Sequence, residues 1–406
     1  MTNSSPYRTL PADGVEAAPS KPYRVALVST WGAECGIATY SEDLSTWLTD
    51  EGVRLSILAP LEPGTCLGRT RADVPATVVW SRQGVDLGPA LLAATEGVDI
   101  VHFQHEHGLF QNVAALFQAL TDLRKAGRKT VVTLHTVHGY GDWQGTGFAD
   151  NLRKRADCII VHTPACLAAV SLAQGTAPVV WVPHGTRVTV KPGVREEGLK
   201  YMNIPEAAWS GCFGGAFGFI NGGKNLLVTV QAFADGLARR LIPRSCGLII
   251  CGREALERDY MMSLQSLINA TGFTGNIFLR PRFVPRDMVP HIMAAFDFGV
   301  LNTTSAVLSA SGQVHLHAAY GVPFAAARRP IYDDACAAGG LLFTLDAQSH
   351  PTDLGLINAL AALGSSESVR RAVKAAVLAY GARTGWNHVA KQHAEIYRRV
   401  LQSAPG

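Results

Sequence analysis

The stretch Tyr23-Arg-Val-Ala-Leu-Val-Ser-Thr-Trp-Gly-Ala-Glu-Cys-Gly36-Ile-Ala38 sets the reading of the chain. Tyr23–Ser29 is a nearly continuous apolar run, the pattern of a strand covered on both faces. A glycine loop follows and leads into a helix expected to run through Trp47. Glycine in such a loop lets backbone N–H groups approach an anion, and the helix N-terminus adds partial positive charge. A tight turn without a ligand is the alternative. The spacing is not G-x-G-x-x-G, so a nicotinamide dinucleotide is not indicated.

The same alternation recurs along the chain. Strands are expected at Leu55–Leu58, Thr77–Trp80, Ile100–Phe103, Thr130–Leu134, Cys158–Val161 and Val179–Val182, with helical stretches between many of them. After a mixed, polar segment from Thr186 to Ala208, a second series begins. Its expected strands are Trp209–Phe219, Cys246–Cys251, Ile277–Leu279, Phe298–Leu301 and Pro323–Ala327. Its expected helices are Leu226–Arg240, Asp259–Thr271, Arg286–Ala295 and Gln313–Ala319. Val369–Leu401 reads as helix broken around Tyr380–Gly385. Strands alternating with helices indicate parallel, doubly wound sheets, and two successive series indicate two Rossmann-like domains facing a cleft.

Length and composition agree. The chain's 406 residues are too many for one ordinary core, and a charged fraction of only 17% excludes a disordered protein. A net charge of +4 does not by itself indicate nucleic acid. The eight cysteines form no CxxC pair, and Cys158 and Cys251 lie in apolar runs, so buried free thiols in a reducing cytoplasm are expected. No apolar run reaches the roughly 18–20 residues needed to cross a membrane, so membrane contact is expected to be peripheral at most. Residues 1–22, rich in Pro, Ser and Ala, are expected to form a mobile tail.

Ligands of such sheets bind beyond the carboxyl ends of strands, so the loops there carry the candidate chemistry. In Phe219-Ile-Asn-Gly-Gly-Lys224-Asn225 a strand ends, two glycines open a loop, and a lysine stands at the start of a helix, placed to neutralise a diphosphate. A solvated lysine in a turn is the alternative. Ser309-Ala-Ser311-Gly312 opens another helix, either to cap it or to leave N–H groups for phosphate. Histidines gather after strands at His102, His105, His107, His135, His138, His162 and His184. His105-Glu106-His107 lacks a convincing third ligand, and no metal is expected. His135 ends a buried strand and either meets a ligand or satisfies a neighbouring backbone group. Glu106 is placed to orient or deprotonate an acceptor hydroxyl, with a structural carboxylate as the alternative. Arg124, Lys125, Arg128, Lys129, Arg153, Lys154 and Arg155 are either exposed helix ends or a surface for an anionic acceptor such as a lipid headgroup or DNA.

Together the segments CGIATYSEDL, DIVHFQHEHGLF, VVTLHTVH, ADCIIVHTPA, VPHGT, FGFINGGKN, FVPRDMVPHIMAAFDFGVL and SASGQVHLHAAYGVP resemble glycosyltransferase family 4, in that family's order from about Tyr23 to Leu401. SASGQVHL is similar to a sub-branch with an SGxL-type helix start. The resemblance implies a GT-B fold: an acceptor-side domain over 23–190, a nucleotide-sugar domain over 191–385, and a terminal helix, 386–406, crossing back. It implies retaining, metal-free transfer from a nucleotide sugar, with a UDP-sugar favoured over a GDP-sugar and no cofactor. Gly36 falls in the donor-side glycine loop and His135 beside the donor sugar. Lys224, with Asn225, falls at the diphosphate. Arg282 and Val284 fall around the base, and Ser309, Ser311 and Gly312 near the phosphates. Glu34, His105, Glu106 and His107 are assigned to the acceptor side. A lipid-linked or polysaccharide precursor is the expected acceptor, a hydroxymethylated pyrimidine in DNA the alternative.

The sequence departs from the family at three positions. Phe219 stands where many members carry an arginine. Leu308 and Leu316 stand where many carry glutamates, which leaves His315 or His317 to take over a contact, or a protein that binds a sugar nucleotide without turning it over.

Overall fold

Among the described residues, thirteen short strands carry the apolar runs of the sequence, and every pairing between them is parallel. The computed structural model describes residues 23–33, 35–61, 74–84, 86–137, 147–254, 257–304, 309–332, 334–335, 341–343 and 354–403. Glu34, His138, Leu308 and the expected tail lie outside the described residues. The chain divides into two units, Met1–Pro183 with Trp386–Gly406, and His184–Gly385.

In the first unit the strands are β1 (Arg24–Val28), β2 (Arg54–Pro60), β3 (Ala76–Trp80), β4 (Ile100–His105), β5 (Lys129–Leu134), β6 (Cys158–Val161) and β7 (Val179–Trp181). They lie in the order β3-β2-β1-β4-β5-β6-β7. The order reverses between β1 and β4, where the loops after neighbouring strands diverge and leave a crevice at their carboxyl ends. The helices that cover the sheet begin where the sequence supplies caps. Asn112 Oδ1 accepts from the Ala115 N–H at 3.0 Å. Thr163 Oγ1 accepts from the Cys166 N–H at 3.1 Å, with Pro164 at the first helical position.

The terminal helix Trp386–Gln402 belongs to this unit. Its buried face, from Trp386 through Val389, His393 and Tyr397, joins the core around β1 and the helix Gly36–Asp50. Tyr23 Oη donates to Ala394 O at 3.2 Å, and the Trp386 ring packs edge-on to Tyr40 at 4.9 Å.

The second unit holds β8 (Phe213–Phe217), β9 (Gly247–Gly252), β10 (Ile277–Pro281), β11 (Phe298–Leu301), β12 (Phe324–Ala327) and β13 (Leu341–Phe343), in the order β10-β9-β8-β11-β12-β13. Its switch point lies between β8 and β11. The unit begins at His184, because Thr186 is tied into it: its N–H donates to Thr384 O at 2.7 Å and its hydroxyl contacts His315 Nδ1 at 2.6 Å.

Three expectations shift. Trp209–Cys212 is not strand: Glu206–Ala208 turns after Pro205, and the Trp209 indole N–H donates to Ile204 O at 2.8 Å. The helix expected from Arg286 starts at Val289, with Pro290 in its first turn, where a missing N–H costs nothing. The strand Leu341–Phe343 and the helix Leu354–Ser365 were not foreseen. The strand has three residues, and the helix is apolar nearly all round, so neither shows a period.

One close approach fixes the carboxyl end of this sheet. Gly252, with φ of 138°, lies against the backbone of Gly218, and a Cβ there would stand 1.8 Å from Gly218 O. Gly252→Ala is therefore expected to lower stability by about 3 kcal/mol or more, read as a fall in the urea unfolding midpoint.

Candidate functional site

The loop after β8 is held by contacts that leave one ammonium unanswered. Gly218 turns the chain at φ of 116°. Gly222–Lys224 then form a single 3-10 turn. Glu257 Oε2 accepts the Gly222 N–H at 2.9 Å, while the Thr303 hydroxyl and the Thr304 N–H donate to Gly223 O at 2.8 and 3.0 Å. Asn225 takes the left-handed conformation (φ 53°, ψ 39°) and hands the chain to the helix Leu226–Ala238. Lys224 is thereby turned into a pocket that also involves Gly218, Phe219, Ile220, Asn302 and Gln313. Burial lowers its pKa, and no acceptor for its ammonium occurs among the described residues.

The helix Gly312–Tyr320 starts beside the same pocket, which its second residue, Gln313, lines. Ser311 occupies its N-cap position, yet the hydroxyl makes no capping bond. The first-turn N–H groups thus lack the side-chain acceptor a serine usually supplies, which suits an anion. Gly312 is exposed, and a Cβ there would meet only His184 Nε2, at 3.9 Å. Ser309 bonds locally, its hydroxyl to Ala310 O at 3.3 Å.

The two histidines of this helix part company. His317 is fully buried, donates to Gln313 O at 2.7 Å and fills the space over Gly299, where a Cβ would come within 2.1 Å of its ring. It is a core residue and cannot replace a missing acid. His315 stacks on His184 at 4.5 Å. A hydroxyl chain orients its ring: Thr384 Oγ1 donates to Tyr380 O (3.0 Å), so Thr186 donates to Thr384 (2.8 Å) and accepts from His315 Nδ1–H (2.6 Å).

Arg282 and Val284 follow β10, at the edge of the sheet. The Arg282 guanidinium lies 4.2 Å over the Tyr201 ring, and its Nη2 is buried without a hydrogen bond. The Val284 side chain is buried in the core, so only its backbone is left for a ligand.

In the first unit, Cys35 Sγ caps the helix that begins at Gly36, accepting from the Ala38 N–H at 3.3 Å. A Cβ on Gly36 would meet open space, so nothing in the protein demands glycine there. One turn on, Tyr40 packs edge-on against His135 at 4.7 Å. His135 Nε2 bonds to Gln104 Oε1 at 2.8 Å. A carbonyl oxygen only accepts, so this nitrogen carries the proton. Gln104 Nε2 in turn donates to His102 Nε2 (3.3 Å), as does Thr133 Oγ1 (2.7 Å), and His102 Nδ1–H donates to Tyr397 Oη (2.7 Å). Gln104 was missed by sequence reasoning. The signal was the strand period, which puts residues 102 and 104 on one face of β4.

Acceptor-side residues fare differently. His105, expected on the acceptor side, is fully buried between Phe110 (5.6 Å) and Phe148 (5.1 Å). His107 is half-buried against the same Phe148. Glu106 uses both oxygens locally, accepting from the His107 N–H at 3.0 Å and the Thr136 hydroxyl at 2.8 Å. Most of the basic clusters are bound to the chain itself. Arg124 donates to Lys154 O, Arg128 to Thr95 O, Lys129 to Ser403 O, and Arg153 to Ser171 O and Ala177 O, while Arg155 bonds Asn151 and lies over Phe117. They pin loops and helix ends rather than forming a free cationic face. No helix among the described residues is long and apolar enough to cross a membrane.

Residues 35–189 match the family model described as Glycosyltransferase Family 4. The match covers less than half of the chain. Over 93–94% of the chain and the whole of each partner, the structure also superposes on solved GT-B structures. HepE from Anabaena, in complex with UDP and glucose, is 17% identical with a TM-score of 0.71. A glycosyltransferase from Rickettsia africae is 12% identical, at 0.72. A trehalose-6-phosphate protein from E. coli bound to UDP-2-fluoro glucose is 12% identical, at 0.68. The fold is GT-B. No curated protein sequence matches the chain.

The GT-B units keep several histidines neutral. Burial holds His184, His317 and His393 down to about 4, and burial with His107 holds His105 to about 3. An unfolded histidine titrates near 6.5, so below that pH the unfolded chain binds the extra protons. The stability these groups contribute is complete above pH ~6.5 and is lost between there and about 4, at up to roughly 1.4 kcal/mol per histidine per pH unit. Urea unfolding at pH 7.5 and 5.0 is expected to show a much lower midpoint at pH 5.0.

Proposed function

We propose that the chain transfers a sugar from a nucleotide-sugar donor, a UDP-sugar in preference to a GDP-sugar, to an acceptor hydroxyl with retention and without a metal ion. The observation that carries this reading is Lys224: a part-buried lysine whose ammonium has no counter-ion among the described residues, at the switch point of a doubly wound sheet. A diphosphate answers it, and the uncapped N-terminus of Gly312–Tyr320 adds a second source of positive potential. Both stabilise the charge that grows on a leaving nucleotide diphosphate, the work a divalent cation does elsewhere. That HepE was solved with UDP and with UDP-glucose supports the choice of nucleotide.

The roles follow from chemistry. Lys224, Asn225, Ser309, Ser311 and Gly312 serve the phosphates, and the Arg282–Val284 segment serves the base. His135, locked as an Nε2–H donor to Gln104, serves the transfer step, and Gly36 keeps its helix N-terminus open. Glu106 and His107 serve the acceptor, for which a lipid-linked or polysaccharide precursor is proposed. A binder without turnover is the second reading, favoured by Leu316, which packs partly buried against the core where many members of the family carry an acid.

The test is nucleotide release from a panel of UDP- and GDP-sugars. The enzyme reading expects slow hydrolysis of at least one donor; tight binding with no hydrolysis of any donor selects the second reading. Lys224→Ala is expected to lower kcat/KM about 100-fold, since truncating a buried charge partner costs roughly 2–5 kcal/mol. His135→Ala is expected to lower kcat while donor affinity stays within a few-fold. Wild-type turnover in both variants would overturn the assignment.

A further inference from the structure

Two amide oxygens in the Lys224 pocket find no donor among the described residues. Asn302 follows β11 at the switch point and is 4% exposed. Its Nδ2 donates to Thr229 Oγ1 at 3.1 Å. The Thr229 hydroxyl spends its proton on Asn225 O at 3.1 Å, so it offers Asn302 only a lone pair. That fixes the amide: nitrogen toward Thr229, and Oδ1 buried with no hydrogen bond. Gln313, the second residue of its helix, lines the same pocket with its Oε1 likewise buried and unbonded. Lys224, the cation of the pocket, bonds to neither.

An orphaned buried acceptor costs about 1–3 kcal/mol. Here two occur in one pocket, and both atoms accept. Phosphate oxygens carry no proton to give at neutral pH, whereas sugar hydroxyls do. The strand order β10-β9-β8-β11 gives the direction. The segment proposed for the base follows β10, Lys224 follows β8, and Asn302 follows β11. Base, diphosphate and sugar would then lie in sequence across the carboxyl edge of one sheet.

We propose that Asn302 and Gln313 accept hydrogen bonds from hydroxyls of the transferred sugar and so set donor-sugar specificity with neutral amides in place of carboxylates. This rests on the donor reading above. The amides also donate, so the pocket repels no anion and tolerates a sugar that offers acceptors.

The test is calorimetric titration of wild type, Gln313→Leu and Asn302→Ala with UDP, GDP, UDP-glucose, UDP-N-acetylglucosamine and GDP-mannose. Gln313→Leu is near in size and lies in a partly exposed first turn, so it tests the proposal even where Asn302→Ala fails to fold. Expected is a rise of about tenfold or more in the ratio of the sugar-nucleotide Kd to the Kd of its parent nucleotide, with parent affinity unchanged within about twofold. An unchanged ratio in Gln313→Leu, or equal loss of both ligands, overturns the proposal while leaving the donor reading intact. No binding of any of the five to wild type overturns the donor reading and this one with it.

Discussion

A desolvated lysine ammonium without a counter-ion is unfavourable, and among its described residues the second unit offers Lys224 none. Desolvation pushes its pKa down, yet the turn that carries it is fastened on both sides, by Glu257 at Gly222 and by Thr303 and Thr304 at Gly223. Those contacts keep the side chain from retreating to solvent. Nor does a neighbour neutralise it: the nearby carboxylate of Glu257 accepts a backbone N–H instead. The Gly218–Gly252 contact lets the strand ends approach closely enough to leave room for this loop. Stability is thereby held in reserve, to be recovered when a polyanion enters.

The first unit solves a different problem, that of burying polar side chains without charge. His102 is held well below its usual pKa by burial, reinforced by His393 and His162. It is therefore a neutral ring with one donor and one acceptor, and the chain from Tyr397 through His102 and Gln104 to His135 uses both. Only one tautomer of each ring fits once Gln104 is placed. The terminal helix thus does more than cover the sheet: Tyr397 terminates a hydrogen-bonded line whose far end sets which nitrogen of His135 bears the proton.

The fold was legible because both sheets are buried on two faces, which makes strands read as apolar runs at regular intervals. The positions of Lys224 and Gly312, after a strand and at a helix start, were legible for a related reason: both fall in loops that follow parallel strands. Side-chain direction at the ends of strands was not legible. Nothing in the strand pattern distinguishes buried His105 from half-buried His107 two residues on: both meet Phe148, and it is the stacking of Phe110 that closes over His105. Asn302 and Gln313 were passed over for the same reason, since an amide in sequence carries no sign that its partners will fail to appear. The basic clusters left two readings open because a lysine or arginine at a helix end reads alike whether it faces an acceptor or a carbonyl.

The departures from the family pattern make sense together as a change in charge balance. Phe219 is 47% exposed at the pocket where an arginine is usual, so one positive charge beside the phosphates is lost. On the proposed reading, two carboxylates would then weaken the hold of Lys224 and one helix N-terminus on a diphosphate. Leu316, packed partly buried against the core, and the neutral amides of Asn302 and Gln313 avoid that penalty on the proposed reading while keeping acceptors available. Loss of an arginine and loss of acids therefore offset one another electrostatically. What the pocket gives up is the stronger, charge-assisted grip of a carboxylate on hydroxyls, so discrimination between sugars has to come from the placement of two neutral oxygens rather than from charge.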